Sequence, residues 1–258
     1  MRKRVTLCVL TGALALSTLA VPAAQADGSY GDTKITKVVV DGDNKVVVGR
    51  DETRFTVSVT VTDDSGFGFW SEAAEWLDVY GPDSGWFQAK YPSCSRVDDT
   101  TATCTGGFVI NPRTDAPEHL TDDNAGTYRV DTWINASDKD WVWKESAGTF
   151  KLQRHTRLTA NASPEPVRKG RTVTVTGRLT RVSWETLTYG GYGGQYVKLQ
   201  FRKKGATSFT TLKTVKSTSS GYVSATTTAG YDGAYRFVYA GNSASAAVTS
   251  AADAVDVQ

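Results

Sequence analysis

The chain has 258 residues: 29 are Lys or Arg, 27 are Asp or Glu, 2 are His and 3 are Cys. Histidine and cysteine are too few for a zinc centre of the usual ligand set, and no stretch beyond the N-terminus is apolar for long enough to span a bilayer. The near-zero net charge conceals an asymmetry, with 13 basic and 22 acidic side chains in residues 27–156 (net −9) and 13 and 5 in residues 157–258 (net +8).

The N-terminus reads as an export signal. "MRKR" is a cationic start, "VTLCVLTGALALSTLAV" an apolar run, and Ala24-Gln25-Ala26 a small-x-small cleavage pattern. Cys8 lies inside that run behind Leu7, too near the start for a lipidation signal. Residues 1–26 are therefore expected to be a signal peptide, and the mature protein to be secreted without a membrane anchor. About 230 residues remain, enough to bury two separate cores. The charge asymmetry suggests where they divide: an acidic domain over 27–156 and a basic one over 157–258.

Beyond the leader the period is two. In "RFTVSVTVTDDSG", Phe55, Val57, Val59 and Val61 alternate with Thr56, Ser58, Thr60 and Thr62. "TVTVTGRL" and "YVKLQFRKKG" repeat the pattern with Val173, Val175, Val197, Leu199 and Phe201. Such alternation marks half-buried strands, and their recurrence between Gly, Asp, Ser and Asn clusters marks an antiparallel sandwich. "SEAAEWL" reads either as one helical turn or as the approach to a strand "EWLDVYG". Cys94 and Cys104, the two cysteines of the mature chain, read as a disulfide in an exported protein. "LQRHTRLTANASPEPVRKG" is the linker candidate, with His155 in it, and "SPEP" interrupts strand pairing because proline cannot donate to a ladder.

The two halves resemble each other. "DDNAGTYRVDTW" and "GYDGAYRFVYAG" each place a tyrosine, Tyr128 or Tyr235, just after a turn. That is the position from which a corner tyrosine of an immunoglobulin-like sandwich ties its hydroxyl back to the neighbouring turn. Val130 and Phe237 stand two residues on, where antibody domains have a cysteine. The fold class expected is all-β: two immunoglobulin-like β-sandwich domains in tandem.

"SPEPVRKGRTVTVTGRLTR", "VKLQFRKKG", "FTTLKTVKSTSSGYVSATT" and "DGAYRFVYAGNSASAAVTSAADAVDV" together resemble a β-sandwich module of secreted actinobacterial proteins. Residues 33–156, opening "KITKVVVDGDNKVVVG", resemble the module that often precedes it. The resemblance implies an immunoglobulin-like fold and carries over no catalytic residue.

Catalytic patterns are missing from the sequence. The mature chain has His119 and His155, both expected in exposed loops, and contains neither a G-x-S-x-G elbow nor H-E-x-x-H. "LTYGGYGGQYVKLQFRKKG" sets glycines before an alternating strand rather than a helix N-terminus, so it reads as a long loop feeding a strand, not a phosphate cradle. An exported protein also gives no reason to expect nucleic acid as a partner. "DGDNKVVVGRDE" puts Lys45 and Val46 where a calcium loop needs a ligand and a turn glycine. If calcium binds at all, Asp63, Asp64, Asp122 and Asp123 are the residues to test, since both pairs sit at strand ends.

Tryptophan is the residue type in surplus. Six of seven lie in the first half, and a sandwich core uses one or two. The candidate surface is Phe67, Phe69, Trp70, Trp86, Trp141 and Trp143, aromatics suited to stacking on sugar rings or to anchoring a protein. The function expected is non-catalytic binding of an extracellular glycan, wall polymer or protein. The alternatives are a structural or adhesive spacer helped by calcium, and an inhibitor or enzyme with an unfamiliar site.

Overall fold

The computed structural model describes residues 27–67, 74–113 and 120–258. The expected signal peptide, Phe69, Trp70 and His119 lie outside the described residues.

The chain is all-β, with two β-sandwiches that follow one another, each around its own hydrophobic core. The strands of the first are β1 (Gly28–Tyr30), β2 (Lys34–Val40), β3 (Lys45–Val48), β4 (Thr53–Thr62), β5 (Ala74–Tyr80), β6 (Trp86–Gln88), β7 (Lys90–Arg96), β8 (Thr101–Ile110), β9 (Gly126–Asn135) and β10 (Trp141–Arg154). Those of the second are β11 (Thr156–Leu158), β12 (Asn161–Ser163), β13 (Thr172–Val182), β14 (Tyr189–Gly191), β15 (Tyr196–Lys203), β16 (Thr210–Lys216), β17 (Tyr222–Thr228), β18 (Gly233–Tyr239), β19 (Val248–Thr249) and β20 (Asp253–Val255).

In the first sandwich a six-stranded sheet, ordered β1-β10-β9-β5-β6 with β3 alongside β10, faces a four-stranded sheet, β2-β4-β8-β7. The alternation read from the sequence is what closes it: Phe55, Val57, Val59 and Val61 of β4 point inward, as do Ala102, Cys104, Phe108 and Ile110 of β8. Phe55 and Phe108 sit opposite each other and stack with ring centroids 4.9 Å apart. Gly106 lets the sheets approach here, because a Cβ would lie 2.6 Å from the Ala89 side chain and 2.7 Å from that of Leu77. Cys94 and Cys104 are cross-strand partners on β7 and β8 and form the expected disulfide. The second sandwich pairs a sheet built around β13, with β11, β12, β14 and β17, against β16-β15-β18-β19 with β20. Val173, Val175, Leu179, Val197, Leu199 and Phe237 form its core.

Of the two readings of "SEAAEWL", the strand holds over the described part, Ala74–Tyr80 being β5, with residues 71–73 outside the described residues. Other local expectations change. The tyrosine corner is only half realised: Tyr128 is buried beneath the Gly81–Gly85 turn, but its hydroxyl finds no hydrogen-bond partner. Burial pushes that hydroxyl's pKa up, so it stays protonated. The glycine-rich stretch is no long loop, since Tyr189–Gly191 pairs with β13 as β14. Gly191 is required there: a Cβ would fall 2.1 Å from the Ser220 carbonyl oxygen.

The expected linker is a strand that runs on. β10 ends at Arg154, and after His155 alone β11 begins in the next sandwich. His155 is half-buried rather than exposed. Its N–H donates to the Val48 carbonyl (2.9 Å), its carbonyl accepts from the Val182 N–H (3.0 Å), and its Nδ1 bonds the Tyr189 hydroxyl (2.9 Å). Burial, then the neighbouring Arg157 guanidinium, lowers its pKa and keeps it neutral. Trp184, from the β13–β14 connection, is 0% exposed inside the first core, and its Nε1 donates to the Val48 carbonyl.

Candidate functional site

The outer face of the six-stranded sheet carries the candidate site. Strand alternation turns Leu77 and Val79 of β5, and Val130, Thr132 and Ile134 of β9, toward the core. Trp76, Asp78 and Tyr80 on β5, and Arg129, Asp131, Trp133 and Asn135 on β9, must then face outward. On β10, Trp141 and Trp143 flank the inward Val142, and on edge strand β6, Trp86 and Gln88 flank the inward Phe87.

Register assembles these residues. Trp143 is opposite Trp133, which is opposite Trp76, while Trp141 is opposite Asn135. Ring centroids lie 5.4 Å apart for Trp133–Trp141, 6.4 Å for Trp133–Trp143 and 6.3 Å for Trp76–Trp143, the spacing of interacting aromatic pairs. None of these indoles belongs to the hydrophobic core of its sandwich. Trp86 is 50% exposed and packs against Tyr80.

Beside the indoles lies a carboxylate pair. Asp78 and Asp131 are cross-strand partners, 6% and 2% exposed. Arg129 Nε donates to both oxygens of Asp131 at 3.0 Å, and the Ser146 N–H donates to Oδ1 at 2.9 Å. Asp78 is served less well. Its Oδ2 accepts long bonds from Trp86 Nε1 (3.3 Å) and the Tyr80 hydroxyl (3.4 Å), and its Oδ1 has no partner. Burial raises the Asp78 pKa and repulsion from Asp131 adds to it, against the lowering effect of the Trp86 and Tyr80 bonds. The Trp143 Nε1 is likewise buried without a partner.

Of the residues picked out from sequence, Trp86, Trp141 and Trp143 share this face. Phe67, expected at an exposed loop tip, is 8% exposed and part of the first core. Trp76, Trp133, Asp78 and Asp131 were not picked out. The signal was available in the alternation, since Tyr128 and Val130 facing inward forces Trp133 outward.

The four aspartates considered for calcium separate. Asp63 belongs to two acidic trios, one with Asp32 and Asp140 and one with Asp64 and Asp138. Asp63 is already satisfied by the Thr33 hydroxyl (2.6 Å), the Ser65 hydroxyl (2.6 Å) and the Ser65 N–H (2.9 Å). Although burial pushes its pKa up, these bonds, led by the Ser65 hydroxyl, bring it below the ordinary value. Asp122 belongs to the joint instead: Oδ2 pairs with the Arg154 guanidinium at 2.7 Å and Oδ1 accepts the Trp184 N–H at 2.8 Å. Asp123 is exposed beside it.

No family model matches the chain, and no curated protein matches it. Among solved structures, it is similar to dimeric latent PorU from Porphyromonas gingivalis (14% identity over 87% of this chain and 20% of that one, TM-score 0.28). It is also similar to three N-terminal domains of the bacteriophage RB49 outer capsid protein Hoc (12%, 88% and 70%, 0.31), and to the D0-D1 domain of intimin (12%, 86% and 98%, 0.27). The chain thus spans about a fifth of PorU. At TM-scores this low, none of these likenesses carries an argument about what the chain does. Among the described residues, no helix is long and apolar enough to cross a membrane.

Proposed function

We propose that the protein is a non-catalytic binding module of the extracellular space that holds a glycan on the outer face of its six-stranded sheet. The observation carrying this reading is the set Trp76, Trp133, Trp141 and Trp143, gathered on one face of a sheet whose other face builds the core. A core has no use for indoles on its far side, whereas a sugar ring offers an apolar face that stacks on them. Asp78, on the same face and with its Oδ1 unpartnered, accepts a hydrogen bond from a sugar hydroxyl and gives the stacked ring an orientation. The export signal expected from the sequence and the disulfide support an extracellular setting.

The test is retention on insoluble wall glycan, chitin and cellulose. We expect the intact protein to be retained by at least one of them and Trp141→Ala to lose about tenfold in affinity, the scale of one removed aromatic stack. Retention on none of the three, or equal retention of the variant, contradicts the reading.

A further inference from the structure

We propose that the glycan held on this face is an amino sugar polymer, one whose unacetylated amino groups are positively charged, with an ammonium seated between Asp78 and the rings of Tyr80 and Trp86. This rests on the glycan reading above and adds the charge of the ligand to it. Three observations lead to it.

First, the pair is under-compensated. Two carboxylates face each other across β5 and β9, both more than nine-tenths buried. Among the described residues, the ion pair made to them is that of Arg129, and it goes to Asp131. Buried carboxylates are ordinarily paired or fully hydrogen-bonded, yet Asp78 Oδ1 has neither kind of partner.

Second, the other half of the same site already shows how a cation is held. The Arg129 guanidinium is bonded to Asp131 and lies 4.7 Å over the Tyr80 ring centroid, so it meets a carboxylate and an aromatic face together. An ammonium at Asp78 would meet the same two kinds of group, with Asp78 in place of Asp131 and the Tyr80 and Trp86 rings as walls.

Third, the closure over Asp78 is weak. Trp86 comes from a three-residue edge strand, is half exposed, and holds Asp78 through a 3.3 Å bond. A charged donor makes a shorter and stronger bond to a carboxylate than an indole does, so an ammonium gains by taking that place. The polymer, rather than a basic peptide, is favoured by the row of indoles running away from Asp78 across β5, β9 and β10, which offers stacking surface for consecutive rings.

Calorimetric titration of the full secreted chain tests this with three probes: a glucosamine oligomer, an N-acetylglucosamine oligomer of equal length, and oligolysine. The expected result is about tenfold tighter binding of the glucosamine oligomer than of its acetylated counterpart, the scale of one charge-assisted hydrogen bond. Asp78→Asn is expected to bring the two oligomers to near parity while still binding both. Equal binding of the oligomers by the intact protein overturns the inference and leaves the glycan reading standing. Failure of both oligomers to bind overturns the inference. The glycan reading falls with it only if retention on the insoluble glycans is also lost. Tighter binding of oligolysine than of either sugar overturns it in favour of a cationic peptide. A preference that survives in Asp78→Asn overturns the seat at Asp78, and because the first comparison uses the intact protein, it stands even if the variant misfolds.

Discussion

Asp78 is held in a place that suits it poorly while it is charged. Its folded pKa is raised, chiefly by burial, so the folded state keeps the proton to higher pH than the unfolded chain does. This contribution to stability is therefore lost as pH rises from the unfolded value through the folded one. We predict that Asp78→Asn, which removes the charge at constant shape, stabilises the protein at pH 7 by about 1 kcal/mol in urea unfolding and flattens that part of the pH profile. Asp63 behaves in the opposite sense. Its folded pKa is lowered, so its contribution is present above the unfolded value and fades as pH falls through the folded one. Glycines 190 and 191 make a second residue-scale contrast. Gly191→Ala drives a Cβ into the Ser220 carbonyl and is expected to cost about 2 kcal/mol or more, while Gly190→Ala meets nothing within 4 Å and should stay within about 0.5 kcal/mol.

At the scale of strands, what period-two alternation controls was legible and what strand pairing controls was not. The inward residues of β4, β13 and β15 follow from the sequence directly. On β9, Trp133 follows by one further step, because it is out of phase with the inward Tyr128 and Val130. The opposition of Asp78 and Asp131 does not follow. It depends on the register between β5 and β9, residues 53 apart in sequence, and on an irregularity between Ala74 and Trp76. Phe67 was misplaced for a related reason: a Gly-flanked aromatic reads as a loop tip, and only the folded chain shows the core behind it. The disulfide is an element-scale device, tying neighbouring strands β7 and β8 across a sequence separation of 10. Replacing both cysteines with serine should lower stability by about 2–3 kcal/mol, the loop-closure entropy of so short a ring, with the far-ultraviolet β signature intact. A loss of the sheet signal would show that the bridge specifies the pairing rather than reinforcing it.

For the whole molecule, the joint is built from buried contacts rather than from a flexible tether. The reading of "LQRHTRLTANASPEPVRKG" as a linker missed this, because no local pattern announces that Trp184 will fill a core assembled mostly from residues more than 30 positions earlier. Trp184→Ala removes a fully buried indole and should cost about 3–5 kcal/mol. The loss should appear in the unfolding of the first sandwich, although the residue is carried by the β13–β14 connection. In calorimetry the variant should separate the two sandwiches into two transitions; a single unshifted transition would show that the plug does not couple them. His155, neutral in the joint with a lowered pKa, adds a pH term. The unfolded chain takes up that proton first, so joint stability should fall as pH drops below about 6.5.

The outward indole row as the ligand-bearing surface is tested most directly by oxidative footprinting of tryptophans in the intact protein, with and without the glycan that retains it. Protection on binding should appear at Trp86, Trp133 and Trp141, while Trp184 stays unlabelled in both states. Equal labelling of the indoles of the six-stranded sheet whether or not glycan is present would contradict the account.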